Sequence, residues 1–173
     1  MISPPCWFSA CRPSYMHHHL NRYLPVLTLL LPVLLCACAA GEQRSLAFEH
    51  VIYLDRTPLP VALFDSPQER QAGLAGIEAL PAGTGALFVF EQPQPARFWM
   101  QGMQFPLDLL FFDGQGRVVW MVHAAPPCRA DAECPLIRAA DVRYVLELPA
   151  GQADVLQVSE QSRLRLPGEQ DEP

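Results

Sequence analysis

Two carboxylates that lie in apolar stretches are the residues of this sequence best suited to chemistry. Asp108 lies in residues 107–113 (LDLLFFD), and Glu147 lies in a second apolar run, residues 142–148. Because burying an isolated charge is costly, Asp108 must be paired, hydrogen-bonded or part of a site. In a structural role, it would cap backbone groups or pair with an arginine. Three arginines are available for such a bridge: Arg70, Arg97 and Arg143.

The alternative to a structural role is a binding pocket. In that arrangement an aromatic face packs a small ligand while charged groups orient it. The candidate pocket residues are Arg70, Trp99, Met100, Asp108 and Glu147.

A small hydrolase is a further alternative, in which His123 acts together with Asp108 or Glu147. Known catalytic signatures do not accompany these residues. The sequence has no G-x-S-x-G nucleophile motif, phosphate-binding loop, dinucleotide fingerprint or H-E-x-x-H zinc motif. The sequence therefore favours a small binding or accessory module over a catalyst, and it indicates no cofactor.

Sulfur ligands raise the separate hypothesis of a periplasmic Cu(I)-binding protein. Its ligands would be Met100, Met103, Met121 and His123. Thioether and imidazole groups suit Cu(I), and Met121 and His123 share one face of a strand. The plainer interpretation is that the methionines fill gaps in the core. No methionine-rich loop strengthens the copper hypothesis, so no metal is assigned.

The elements that must position these residues are mostly strands. Asp113-Gly114-Gln115-Gly116 predicts a hairpin, and Ser66-Pro67-Gln68-Glu69 predicts a helix start with a capping box. Residues 124–141 are expected to form a loop, and 150–158 a helical turn. Apolar runs predict strands at 49–54, 59–64, 86–90, 97–100, 107–112, 117–123, 142–148 and 163–166. We therefore predict an α+β fold, in which a compact, mostly antiparallel and barrel-like sheet carries one or two short helices.

The N-terminal part of the sequence is typical of an export signal. Residues 24–35 (LPVLTLLLPVLL) are apolar, but a bilayer-spanning helix needs about 20 such residues. This run has the length of a signal-peptide core, and Arg22 supplies the positive end. We expect residues 1–37 to be a signal peptide, with Met16 as an alternative start.

The end of this leader, Leu35-Cys36-Ala37-Cys38, resembles a bacterial lipobox. The resemblance implies that a lipid is attached to Cys38, and Ala39 after it favours the outer membrane, on the periplasmic side. The alternative is a secreted or periplasmic protein that is cleaved near Ala39 or Ala40. The expected partners are the membrane, through the anchor, and an unknown small ligand or envelope protein.

Charge and cysteine content agree with an exported domain. From residue 38 onward, 10 arginines stand against 18 acids, and the net charge of −8 argues against a nucleic-acid partner. Beyond the acylated cysteine, Cys128 and Cys134 form an even pair, for which a disulfide is expected in an oxidising compartment. Zinc ligation by these two cysteines is less favoured. Zinc usually takes four ligands, and after the leader His50 and His123 are the only histidines that could join the two cysteines.

Residues 50–166 resemble the family called domain of unknown function 192, also named uncharacterised protein family 0127. The resemblance is carried in order by Arg70-x2-Gly73-Leu74, residues 85–90 (GALFVF), Phe98-Trp99-Met100, residues 106–113 (PLDLLFFD) and residues 145–151 (VLELPAG). Departures occur at Ala75 and Ala86, where the family usually has methionine, at residues 101–103, where it tends to have Lys-Asn-Thr, and at Ser159-Glu160, which replaces a usual Gly-Asp. The resemblance implies a fold but no established activity.

These observations divide the chain into four parts. After the signal peptide, residues 38–47 are expected to form a tether and 48–167 a single domain. Residues 168–173 remain as a C-terminal tail.

Overall fold

The structure is a computed structural model, and it describes residues 44–129 and 133–168. The predicted signal peptide, the alternative start at Met16 and the predicted acylation site Cys38 lie outside the described residues, as does most of the predicted tail. Within the predicted tether, Leu46 packs against the domain core, and the Arg44 guanidinium donates a hydrogen bond to the carbonyl of Gly73.

The described residues form seven strands and two short helices. The strands are β1 (His50–Leu54), β2 (Thr57–Phe64), β3 (Gly85–Phe98), β4 (Leu107–Phe112), β5 (Val118–Ala125), β6 (Ile137–Pro149) and β7 (Leu164–Arg165). The helices are α1 (Pro67–Ala72) and α2 (Gln152–Val155). The compact, mostly antiparallel sheet and the one or two short helices of the prediction are confirmed, but the class α+β is corrected, since the fold is mostly β.

All seven strands belong to one curled sheet, in the order β5-β4-β6-β3-β2-β1-β7. Neighbouring strands are antiparallel except β2 and β3, which run parallel and are connected through α1. The predicted hairpin at residues 113–116 joins β4 to β5. The Asp113 carboxylate stabilises this turn by accepting hydrogen bonds of 2.8 Å from the backbone N–H groups of Gln115 and Arg117.

The two edges of the sheet meet at one end. Arg117, just before β5, forms an isolated antiparallel bridge with Arg163, just before β7. The Leu164 N–H donates to the carbonyl of Gly116 at 2.8 Å. Gly116 has a φ of +71°, and a Cβ at this position would lie 2.0 Å from the Leu164 oxygen, so only glycine fits here. This contact joins the two edges of the curled sheet.

Both faces of the central strands are buried, because the curled sheet is covered on each side. The core on one face includes Ala86, Phe88, Leu109, Phe111 and Val145. We call it the cavity-side core, because the cavity described below opens on this face. On the other face, the α2-side core includes Leu87, Leu110, Phe112, Leu146 and Leu148. Every residue of β4 is buried, which explains why this strand is a continuous apolar run rather than an alternating one.

Helix α1 begins as the sequence predicts. The Ser66 hydroxyl accepts a hydrogen bond from the Glu69 N–H at 3.2 Å, and the Glu69 carboxylate accepts one from the Ser66 N–H at 3.1 Å. Pro67 occupies the first helical position. The helix ends at Gly73, whose φ is +51°.

The largest differences from the predicted boundaries are in β3 and β6. The runs at 86–90 and 97–100 are joined in one long strand, β3, although Pro93 and Pro95 lie between them. The prolines are tolerated because β2 pairs with β3 only as far as Phe88, and the pairing with β6 shifts register where they lie. Strand β6 begins at Ile137, so the last part of the predicted 124–141 loop extends the same ribbon.

Candidate functional site

A cavity of about 270 Å³ opens on one face of the sheet, between helix α1 and the chain that follows β3. We call it the Glu147 cavity. The α1 side supplies Arg70, Gln71, Ala72, Gly73, Leu74 and Ala75. Strand β3 and the chain after it supply Phe88, Phe90, Arg97, Phe98, Trp99, Gln101 and Met103, and β6 supplies Glu147.

Glu147 is the buried ionisable group of this cavity. Only 5% of its surface is exposed, and burial raises the pKa of its carboxyl from the ordinary value of 4.5 to about 8. Among the residues that the structure describes, none forms a hydrogen bond or an ion pair with this carboxyl. A buried carboxyl is normally hydrogen-bonded or paired, so an unpartnered one that lines a cavity is a mark of a binding site.

Arg70 forms one wall and is held in place by the backbone. Its Nη1 donates to the carbonyl of Val89 at 2.8 Å and also to the carbonyl of Asp65. The guanidinium carbon lies 5.2 Å from the centre of the Phe90 ring, a cation–π distance. The arginine therefore attaches α1 to β3 and leaves part of its guanidinium facing the cavity.

The aromatic wall is anchored in the cavity-side core. Phe88 stacks on Phe64 with ring centres 4.6 Å apart and meets Phe98 edge to face at 5.2 Å. Phe98 in turn meets Phe111 edge to face at 5.8 Å. Trp99, which follows Phe98, is 59% exposed and lies at the rim. The cavity thus has a rigid aromatic base and an exposed indole at its mouth.

The remaining rim is fixed by backbone hydrogen bonds and a disulfide. The Gly76 N–H donates to the Gly102 carbonyl at 3.4 Å, and the Cys128 N–H donates to the Met100 carbonyl at 2.9 Å. Cys128 and Cys134 are joined by a disulfide, as the sequence predicts. The segment 100–103 is therefore held between the turn after α1 and the disulfide-bonded loop.

Asp108 does not belong to the cavity, and its assignment to the candidate pocket is wrong. Its register partner on β6 is Leu148, whereas Glu147 is opposite Leu109. Side chains alternate between faces along a strand, so Asp108 and Glu147 point to opposite faces of the sheet. Asp108 is fully buried and accepts hydrogen bonds from the N–H groups of Ala124 at 2.8 Å and Ala153 at 2.9 Å. Of the structural roles foreseen for it, backbone capping is the one observed.

The proposed hydrolase pairs are not formed either. The His123 Nδ1 lies 3.7 Å from the Asp154 carboxylate, and both side chains are substantially exposed. Asp108 uses both oxygens on backbone groups, and Glu147 lies across the sheet from it. His123 therefore has no buried carboxylate as a partner among the described residues.

The copper alternative is also wrong in its geometry. Met100 is buried in the cavity-side core and Met103 packs against it, whereas Met121 packs against the α2-side core. The sheet separates the two groups of sulfur atoms, so the four ligands do not converge. Within the described ranges, no three side chains of the His, Cys, Asp or Glu types lie close enough together to hold a metal ion.

Three of the five predicted pocket residues line the cavity: Arg70, Trp99 and Glu147. Met100 is in the core behind the rim, with 5% exposure. Sequence reasoning missed the pocket roles of Phe90, Phe98, Arg97 and the turn after α1. The sequence contains a usable signal for Phe98, because it belongs to the Phe98-Trp99-Met100 motif of the family resemblance.

The fold and the cavity together define a small, barrel-like β domain with one aromatic-walled, acid-containing recess. The sequence profile of the DUF192 family, described as an uncharacterized ACR, matches residues 51–166. The chain belongs to this family, which confirms the resemblance noted in the sequence.

Two solved structures share the fold. One is a protein of Sinorhizobium meliloti 1021, provisionally described as a transcription regulator, with a TM-score of 0.61 and 31% identity over 68% of this chain and 92% of that chain. The other is a protein of unknown function from Novosphingobium aromaticivorans DSM 12444, with a TM-score of 0.59 and 24% identity over 66% of this chain and 83% of that one. No curated protein matches this chain.

No helix in residues 44–129 or 133–168 is long and apolar enough to cross a membrane.

Proposed function

We propose that this protein is a lipid-anchored binding module of the cell envelope and that the Glu147 cavity is its ligand site. The observation that carries the binding role is the unpartnered, buried Glu147 carboxyl on the wall of a 270 Å³ recess. Protein sites for drug-sized molecules usually measure about 300–1,000 Å³, so this recess suits a small molecule.

The construction of the recess supports binding rather than a purely structural role. A structural carboxylate would be expected to resemble Asp108, whose two oxygens both accept backbone hydrogen bonds. Glu147 destabilises the empty domain instead, because burial disfavours its charged form. A group that is costly to the fold and faces a cavity is consistent with selection for a ligand.

The provisional description of the Sinorhizobium protein does not provide a better proposal. A DNA-binding regulator needs excess positive charge to neutralise phosphates. This chain carries 10 arginines and 18 acids from residue 38 onward, and it has no lysine. A small-molecule or envelope-protein partner fits that balance better than a nucleic acid.

A fluorescence titration tests the binding role. The sequence has three tryptophans, so replacing Trp7 and Trp120 with Phe leaves Trp99 at the cavity rim as the only indole. We expect at least one compound from a panel of small aliphatic acids, amines and amino acids to change the Trp99 emission saturably. Ala75→Phe, which narrows the cavity, should abolish that response. Ala79→Phe adds the same ring to an exposed position outside the cavity and should preserve it. A panel without any saturable response would contradict the binding role.

Cell fractionation tests the anchor. Lipid attachment at Cys38 would place the protein in the membrane fraction, because each buried CH₂ of an acyl chain contributes about 0.8 kcal/mol. Cys38→Ala should move the protein to the soluble fraction and remove palmitate labelling. Cys36→Ala, two residues earlier, is the matched control and should change neither. Membrane association that survives Cys38→Ala would refute the anchor.

A further inference from the structure

The polar side chains on the wall of the Glu147 cavity are well supplied with hydrogen-bond donors. The Arg70 guanidinium has five N–H donors, and its Nη1 is the nitrogen that binds backbone carbonyls. Within the described residues, this leaves the donors of Nη2 and Nε unused. Gln71 and Gln101 add amide NH₂ groups to the lining. The wall is therefore better suited to a ligand that accepts hydrogen bonds than to one that donates them.

Arg97 contributes to the lining without directing its charge into the cavity. Its neighbours Ala96 and Phe98 both pack in the cavity-side core. Because successive side chains of a strand point to opposite faces, the Arg97 guanidinium lies on the other face of β3, together with its exposed register partner Arg138. Among the described residues, the positive charge that faces the cavity is therefore that of Arg70.

The other charged side chains near Glu147 lie elsewhere. Asp108 on β4 points to the opposite face of the sheet. Arg143 shares the face of Glu147 on β6, but it lies four residues away, roughly 13 Å along the strand, and does not line the cavity. Glu69 of α1 is bound to Ser66 in the capping box. The field inside the cavity is therefore set by the guanidinium on its wall.

Glu147 is itself a hydrogen-bond donor in the empty cavity. Burial raises the pKa of its carboxyl to about 8, so at neutral pH most molecules carry the neutral group, whose O–H donates. An ammonium ligand would have to displace this proton and would be repelled by Arg70. A carboxylate accepts the Glu147 O–H as it stands and is attracted by Arg70. That attraction acts across the cavity without direct contact, because Coulomb energy falls only with the inverse of distance.

The rest of the wall is apolar and the space is small. Phe90, Phe98, Trp99, Leu74 and Met103 line it with aromatic, aliphatic and thioether surface. A volume of about 270 Å³ corresponds to about nine water molecules at roughly 30 Å³ each. That space suits a short apolar chain that ends in one small polar group, and it is too small for a nucleotide.

Building on the proposed binding role, we propose that the Glu147 cavity binds a monocarboxylic acid with a short apolar tail. Its carboxylate accepts a hydrogen bond from the Glu147 O–H in the positive field of Arg70, and its tail packs against Phe98 and Trp99. The two carboxyl groups then share one proton in a charge-assisted O–H···O⁻ bond, which is stronger than a bond between neutral groups. The pair carries one negative charge, which the guanidinium balances.

Three probes with similar chains separate this inference from the broader proposal. They are hexanoate, hexanamide, which has the same shape without the charge, and hexylamine, which has the opposite charge. Each is titrated at pH 7 into the full-length protein that retains Trp99 as its only tryptophan. We expect hexanoate to bind at least 10-fold more tightly than the other two, because the amide does not use the Arg70 charge and the amine is opposed by it.

Variants at Glu147 test its role as a donor. Glu147→Gln keeps an N–H donor at the same place, so hexanoate affinity at pH 7 should stay within about 3-fold of the starting protein. Glu147→Leu has a similar size but no donor and should weaken hexanoate binding at least 10-fold. Glu91→Gln removes an exposed carboxylate of β3 outside the cavity, and it should change the affinity less than 2-fold.

The pH dependence of binding gives a second readout. Between pH 7 and pH 9 the protonated fraction of a carboxyl with a pKa of about 8 falls about 10-fold, and hexanoate affinity should fall by the same factor. Glu147→Gln should abolish this fall, because its amide donates at both pH values. An ammonium ligand would show the reverse trend, since it needs the ionised carboxylate.

The outcomes distinguish the two proposals. Binding of hexylamine or hexanamide as tight as that of hexanoate, or a 10-fold loss of hexanoate affinity in Glu147→Gln at pH 7, would overturn the monocarboxylic acid inference and leave the binding role intact. If none of the three probes binds while another panel compound gives a response sensitive to Ala75→Phe, the inference also fails alone. If no compound binds, both proposals fail.

Discussion

Asp108 connects strand β4 to helix α2, because its Oδ2 accepts a hydrogen bond of 2.9 Å from the backbone N–H of Ala153. Its Oδ1 accepts a second bond, of 2.8 Å, from Ala124, which has a left-handed φ of 47°. Ala124 lies where the β4–β5 register shifts between Leu107 and Leu109. One buried carboxylate therefore fixes a bulge in β5 and the start of a four-residue helix that has no side-chain cap of its own.

Replacing this carboxylate with an amide should destabilise the fold without affecting the cavity. In Asp108→Asn an amide NH₂ would face a backbone N–H donor, and one buried donor would lose its partner. Hydrogen bonds to charged groups contribute about 1.5–3 kcal/mol each, so we expect a loss of roughly 3 kcal/mol in urea unfolding. Asp154→Asn is the control, because that carboxylate is 80% exposed and should matter by less than about 0.5 kcal/mol. Equal stability of the two variants would disprove the structural role of Asp108.

Asp108 and Glu147 lie on opposite faces of the sheet, and this difference could not be predicted from the sequence. Both carboxylates occur in apolar runs, and the two-residue period of a strand predicts which neighbours share a face within each run. The period does not predict how two strands align. The pairing of Asp108 with Leu148 rather than Glu147 is a contact between distant segments, and a shift of one residue reverses the face.

Local signals were predictable because their causes are local. The capping box at Ser66 and Glu69 and the turn at Asp113 depend on hydrogen bonds over two to four residues. The cavity is different, because it joins Arg70, Phe98 and Glu147 from three separate elements. These three residues belong to the motifs of the family resemblance, but only the folded sheet brings them together.

Glu147 should make the stability of the empty domain fall as pH rises. Its pKa is about 8 in the folded state and near 4.5 when unfolded, so between these values the folded state binds more protons. The neutral carboxyl does not destabilise the folded domain, so stability is at its full value below about pH 4.5. This stability is lost as the pH rises through about 8. One pKa unit is worth about 1.4 kcal/mol, which sets an upper limit of roughly 5 kcal/mol on the loss.

Glu147→Gln should remove this dependence. We expect the variant to be close to wild type in unfolding free energy at pH 5 and more stable by a few kcal/mol at pH 9, up to the roughly 5 kcal/mol limit set by the pKa shift. Glu91→Gln removes an exposed carboxylate from β3 outside the cavity, and it should stay within about 0.5 kcal/mol of wild type at both pH values. A stability difference between Glu147→Gln and wild type that is the same at pH 5 and pH 9 would contradict the burial of an unpartnered carboxyl.

Closure of the sheet should depend on the absence of a side chain at Gly116. Gly116 and Gly83 have similar positive φ values, +71° and +77°, but a Cβ would meet the Leu164 oxygen at 2.0 Å in the first case and nothing within 4 Å in the second. Gly83→Ala should therefore cost only the backbone strain, about 1 kcal/mol. Gly116→Ala should cost more than about 3 kcal/mol, because the bridge between the two sheet edges must open.

Hydrogen exchange gives an independent measure of that opening. The Leu164 N–H, which donates to Gly116, should exchange faster in Gly116→Ala but not in Gly83→Ala. Unchanged protection of Leu164 in Gly116→Ala would mean that the edges do not meet through this contact.

The disulfide should stabilise the rim of the cavity as well as the fold. It closes a loop with a sequence separation of 6, for which the chain-entropy relation gives roughly 2 kcal/mol. The double variant Cys128→Ser, Cys134→Ser should lose about that amount in urea unfolding. It should also expose the N–H of residue 128, which donates to Met100, to faster hydrogen exchange. Dithiothreitol should reproduce both effects in the wild-type protein and leave the double variant unchanged. If reduction lowers stability but leaves exchange at residue 128 unaltered, the disulfide does not support the rim.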